Sequence, residues 1–166
     1  MKIIHNNILP LPGFGCMNIL GLVFSRKPES EISIKTKRHE QTHTYQQYEI
    51  LMVAAVVSLI LCNIYSTWWY LLGVLVIPFI VYVLGFVVEA TIPPYHNAKI
   101  CFEGKTLWGK IKSVPTWLGK VWMDAYCDNA FEREAYMNDD NPDYLATRKL
   151  FGWVWYIIPS RARKDA

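Results

Sequence analysis

From Ile50 to Val88 the chain carries no Asp, Glu, Lys or Arg. At about 1.5 Å rise per residue, one helix of that length would run to roughly twice the thickness of a hydrocarbon core, so two passes fit better than one. A polar interruption, Asn63-Ile64-Tyr65-Ser66-Thr67, marks the turn between them. Trp68, Trp69 and Tyr70 follow it, the aromatic cluster expected where a chain meets a membrane interface. The expectation is an apolar helical hairpin, 50–64 and 68–89. Its first helix starts near Thr36 and ends near Cys62; its second runs from about Thr67 to Ala90, with Pro78 as a kink. A buried hairpin in a soluble homo-oligomer is the alternative, because helices at the centre of large proteins are also apolar all round.

Basic residues flank this block and avoid its turn. Arg26, Lys27, Lys35, Lys37 and Arg38 precede it; Lys99, Lys105, Lys110 and Lys112 follow it. The positive-inside rule puts both ends of a two-pass hairpin on the cytoplasmic side. A hydrophobic fraction of 52% with 19% charged residues over 166 residues predicts a single domain, 1–166, with the lipid bilayer as a partner. The net charge of +3 comes without a long basic run, which argues against nucleic-acid binding. Cys16, Cys62, Cys101 and Cys127 are widely spaced with no C-x-x-C pair, which argues against a disulfide framework and a cysteine zinc knuckle. The start, MKIIHNNILPLPGFG, is broken by Asn6, Asn7, Pro10 and Pro12 and lacks a small-residue cleavage site, so no removable signal peptide is expected.

Outside the hairpin the signals are shorter. Cys16 to Ser25 is an apolar run of strand length, and EISIK, Glu31 to Lys35, alternates and either pairs with it in a short N-terminal β-hairpin or leads extended into the next helix. After Pro93-Pro94 the segment from Tyr95 to Gly119 reads as loop and short interfacial pieces. Val121 to Asn138 has good helix formers and stops at a polar run ending in Pro142. The tail, with Trp153, Trp155 and Tyr156 beside basic residues, fits an interfacial segment or a last helix on the core. The fold class is therefore mainly α and membrane-associated.

The chemistry lies in HEQTH, His39 to His43, at the start of the first helix. Residues four apart share a helix face, so His39 and His43 can present two imidazole nitrogens to one metal ion while Glu40 sits a little round the helix beside a metal-bound water. Zn2+ suits two imidazoles and a carboxylate, and an open fourth position lets it acidify water; Glu40 is then the general base. The third ligand is Glu132, in FEREAY. At about 100° per residue, Val121, Ala125, Asp128, Asn129, Ala135 and Tyr136 lie within about 60° of it on one continuous helix, and Glu134 points about 160° away, to the surface. Ala125 and Ala135 let a partner helix approach. Asp128 could accept from the ring N–H of a ligating histidine, or be a solvated helix residue. Tyr136 could donate to an oxyanion, or simply pack against the site. His5 and His96 are rival ligands. No organic cofactor site is expected.

HEQTH with Glu132-x-x-Ala135 far downstream resembles the gluzincin arrangement of membrane zinc metallopeptidases. That group includes the CaaX-prenyl-protease and heat-shock-protease enzymes and the antibiotic-sensor receptors. The layout from Leu11 to Tyr156 is also similar to a set of small bacterial membrane proteins with HExxH, a glutamine-rich turn (Gln46-Gln47-Tyr48-Glu49), an apolar hairpin and an FEREAY-like segment. The resemblance implies His39, His43 and Glu132 as metal ligands, Glu40 as catalytic base, a peptide or protein substrate, and residence in the bacterial cytoplasmic (inner) membrane. In those proteases an aspartate usually follows the alanine; here Tyr136 does. Two other functions share the motif: a non-catalytic membrane scaffold or adaptor with a structural metal site, and a metal-dependent hydrolase of lipid or a small amide.

Overall fold

The computed structural model describes residues 1–10, 15–91, 105–127 and 129–157. The protein is mainly helical, with a small three-stranded sheet, and divides into two compact units: Met1–Ile80 with Ala130–Ala166, and Val81–Asn129.

The sheet belongs to the first unit. Strands β1 (Lys2–His5), β2 (Cys16–Ile19) and β3 (Leu22–Ser25) lie in the order β1-β3-β2, with β1 parallel and β2 antiparallel to β3. The apolar run expected as one strand is thus two. Leu20 (φ 49°) and Gly21 (φ 84°) both take positive φ, the geometry of a two-residue type I′ turn, and fold the run back on itself. EISIK is not a strand. Glu29–Glu31 forms a 3-10 turn, and Ser33 caps the following helix by accepting at Oγ from the Thr36 N–H at 3.0 Å.

Helix α1 runs from Ile34 to Tyr65, two residues earlier and three later than the sequence suggested. The β2–β3 hairpin is fastened to its first half. Asn18 Nδ2 donates to the Glu40 carbonyl and, at 2.9 Å, to Thr44 Oγ1; Gln47 Nε2 donates to the Asn18 carbonyl at 3.0 Å. At Gly21 a Cβ would lie 3.2 Å from Thr44 Cγ2 and 3.3 Å from Tyr48 Oη, so a side chain there would crowd the docked turn.

The chain leaves α1 through Ser66 in the left-handed region (φ 49°) and enters a 3-10 turn, Trp68–Leu72, before helix α2, Gly73–Thr91. The second apolar helix therefore starts later than Thr67, and Pro78 lies inside it. Ile34–Tyr65 and Trp68–Gly85 are both long and apolar enough to cross a membrane. Their apolar side chains face outward: Leu59 is 59% exposed and Leu75 74%. The hairpin closes tightly at Gly73, where a Cβ would lie 2.6 Å from the buried Ser58 Oγ.

In the second unit, helix α3 spans Leu107–Cys127 with Pro115 inside it, so residues expected as loop up to Gly119 are helical from Leu107. The 121–138 helix is also corrected. It ends at Cys127, Asn129 turns back with its N–H 3.3 Å from the Tyr126 carbonyl, and helix α4, Ala130–Asn138, starts afresh. Asn favours such turns because its side chain competes with the backbone for hydrogen bonds. Beyond α4, in the first unit, come a one-turn helix α5 (Tyr144–Thr147) and a 3-10 turn (Gly152–Tyr156). Helix α4 packs between α1 and this last turn, with the Phe131 and Trp153 rings 4.7 Å apart and Asn138 Nδ2 donating to Tyr156 Oη at 2.9 Å. The aromatic tail through Tyr156 is a packing element of this unit.

Candidate metal centre

One helical turn separates His39 from His43 on α1, and α4 brings the Glu132 carboxylate against both. Glu132 Oε2 lies 3.2 Å from His39 Nε2, Oε1 lies 3.3 Å from His43 Nε2, and the two Nε2 atoms are 3.1 Å apart. The site is shielded, with side-chain exposures of 13%, 11% and 9%. Close approach of α4 requires a small residue, and Ala135 is fully buried. These three side chains form a group that could hold a metal ion.

Charge inside the cluster is unusual for so buried a place. Burial alone would push the Glu132 carboxyl up; the two imidazoles beside it outweigh that and hold it well below the usual carboxylate range. Its buried Oε2 nevertheless makes no well-aligned hydrogen bond. A buried carboxylate oxygen left in that state, 3.2 Å from His39 Nε2, fits a cation beside it. Glu40, next to His39, is buried at 7% exposure. The Tyr136 ring packs on His39, centroids 4.5 Å apart, while the residue stays half exposed.

The other sequence-derived residues fare differently. His5 ends β1, exposed and outside the cluster. Asp128 and His96 lie outside the described residues. The geometric basis for Asp128 is gone in any case, since α3 and α4 are not one continuous helix.

Several residues around the site were not foreseen. Glu134, expected at the surface, is fully buried. It does point away from Glu132, but the tail covers that face: Tyr144 Oη donates to Glu134 Oε1 at 2.6 Å and Arg148 Nε donates to it at 2.7 Å. Burial, with the Glu134 carboxylate as neighbour, raises the Tyr144 hydroxyl and keeps it a donor. Arg148 also holds Glu49 on α1, with Nη1 on Oε1 and Nη2 3.0 Å from Oε2, and the Phe151 N–H donates to Glu49 Oε1 at 2.9 Å. Burial works against the guanidinium charge, and the two carboxylates outweigh it. At Gly152 a Cβ would lie 2.5 Å from Glu134 Oε1, so the turn reaches the carboxylate only without a side chain. Gln46, fully buried, joins this network to His43. Asp139, also buried, places Oδ2 4.0 Å from His39 Nδ1 and Oδ1 3.2 Å from Lys35 Nζ. Gln46 and Glu49 could have been found by counting on in threes from His43 along one helix. Nothing local marks Arg148, and Asp139 was read as part of a helix stop.

Protein-family models, curated proteins and solved structures give no match to the chain.

Proposed function

We propose that this protein is a membrane-embedded zinc metallopeptidase of the gluzincin kind, with His39, His43 and Glu132 as ligands and Glu40 as general base. The observation that carries the reading is the donor spacing. Tetrahedral donors about 2.0–2.1 Å from one zinc ion sit about 3.3–3.4 Å from each other. Here the two Nε2 atoms are 3.1 Å apart, and each faces a different oxygen of the one Glu132 carboxylate, at 3.2 and 3.3 Å. Zinc, when bound, would supply a Lewis acid that acidifies a water and polarises a substrate carbonyl. Glu40 takes the attacking water's proton and delivers it to the leaving amine nitrogen. Tyr136, held against His39 with its side chain half exposed, donates to the oxyanion that develops. α1 continues from the ligands into its uncharged half, which supports a site at a membrane surface, and the flanking basic residues support the cytoplasmic side of a bacterial inner membrane, with the hairpin spanning twice. Peptide bonds in or near membrane segments are the substrates within reach.

The shielding of the ligands favours a second reading, a non-catalytic membrane scaffold with a closed structural metal site. Glu40→Gln separates the two. Elemental mass spectrometry of the detergent-purified protein should give about one zinc per chain under both readings. His43→Ala and Glu132→Ala should lose it. Glu40→Gln should keep the metal and abolish hydrolysis of membrane-segment peptides only if the protein is an enzyme. A wild-type protein without zinc, even after zinc is added back, overturns both.

A further inference from the structure

We infer that Gln46 is a positioning residue for the metal site: it fixes which nitrogen of His43 faces the ligand cluster, and the buried Glu134 carboxylate fixes Gln46 in turn. The inference rests on the metal-site reading above and adds a residue to it.

The hydrogen-bond inventory leaves one arrangement. Gln46 Nε2 lies 3.0 Å from the Phe131 carbonyl oxygen and 2.7 Å from Glu134 Oε2. Both are acceptors, and an amide nitrogen has two protons to give, so the amide end that faces them must be the NH₂. Its oxygen, Oε1, is then turned to His43 Nδ1 at 2.8 Å. An amide oxygen only accepts. Nδ1 must therefore carry the proton, and the lone pair of the neutral ring is left on Nε2, the nitrogen that faces His39 and Glu132. Were the amide reversed, its NH₂ would face Nδ1 and its oxygen would meet a carbonyl and a carboxylate.

Glu134 makes the reversed state inaccessible. It is fully buried and held by Tyr144 and Arg148, with Arg148 held again by Glu49. The chain Glu49–Arg148–Glu134–Gln46–His43 thus converts an ion pair into the orientation of one imidazole, and it uses a neutral amide where the partner of a ligating histidine is commonly a carboxylate or backbone carbonyl. A neutral partner adds no further negative charge beside Glu132 and Glu40.

Two measurements on the full-length protein in detergent test this. In the wild type loaded with zinc, long-range ¹H–¹⁵N correlation spectra of ¹⁵N-histidine protein should show His43 with a protonated Nδ1 and a metal-bound Nε2; a proton on Nε2, with His43→Ala used to assign the signals, overturns the inference. For Gln46→Leu, which removes the acceptor, cobalt(II) affinity should fall roughly 10- to 100-fold and the ligand-field bands of bound cobalt should shift. Gln46→Glu, which sets an oxygen against the Phe131 carbonyl and the Glu134 carboxylate, should recover part of the affinity only when combined with Glu134→Gln, which supplies an amide donor in place of the one lost. Wild-type affinity and an unchanged cobalt spectrum in Gln46→Leu, with metal still lost in His43→Ala, overturns the role of Gln46 and leaves the site standing. Absence of metal from the wild type overturns the site, and this inference with it.

Discussion

The two halves of α1 are built in opposite senses. Before Ile50 the buried positions are polar or charged: Glu40, Thr42, His43, Thr44, Gln46 and Glu49. After it the buried positions are Ala54 and Ser58, and the outward ones are Met52, Val56, Leu59 and Ile60. One face is buried throughout, through His43, Gln46, Ile50, Ala54 and Ser58, so the helix does not rotate against its surroundings; what changes is the kind of residue on each side. A water-soluble helix hides its apolar stripe. The second half of α1 displays its apolar residues, which suits lipid, while the first half hides ions, which suits chemistry. A helix averaged over its length would show neither.

The largest expected break in this contrast is at Arg148. Arg148→Leu leaves the Glu49 and Glu134 carboxylates buried without their cation, and loss of one partner from a buried ion pair costs about 3–5 kcal/mol. Unfolding in detergent followed by circular dichroism should show that loss; a change under about 1 kcal/mol would mean that water reaches both carboxylates. Next comes Leu59→Lys on the exposed side of the apolar half. A lysine near the middle of a span opposes insertion by about 2.5–3.5 kcal/mol, so the variant should lose part of its carbonate-resistant membrane fraction. If the wild type is fully soluble without detergent, the exposed apolar surface belongs to a protein interface instead. The smallest effect should come from Gly73→Val, which forces the hairpin apart at Ser58 and should cost about 1–3 kcal/mol by the same unfolding measurement, leaving zinc content unchanged. Metal loss in that variant would show that the two halves are not separable.

What was legible in the sequence follows the same division. The apolar block, its aromatic turn and the pairing of His39 with His43 are local signals, since charge absence and i,i+4 spacing need only neighbours in the chain. Glu132 was found by its position in FEREAY, and α4 does present it to α1. The face that was assigned to a helix from 121 to 138 was sound only from Ala130 on, because phase is carried by continuous backbone and the helix breaks before that point. Glu134 was read as surface for a related reason: periodicity gives direction but not what lies in that direction, and Tyr144, Arg148 and Gly152 arrive from a stretch whose tail fitted an interface or the core equally well and named no partner for Glu134. Leu20-Gly21 carried a turn signal that a long apolar run masked.

The partners of Glu49 are also far away in time. Arg148 is 99 residues further on, Phe131 is 85 beyond Gln46, and the histidine pair waits for Glu132. A ribosome adds residues in order, so the segments of both apolar helices are made before Glu132 or Arg148. If the hairpin inserts into a membrane and the cluster binds a metal, as proposed, insertion would come first and metal loading last, with HEQTH unsupported in the interval. Chains that stop short of Arg148 would carry His39, His43 and Glu132 and still lack the ion pair that holds Glu134 against Gln46.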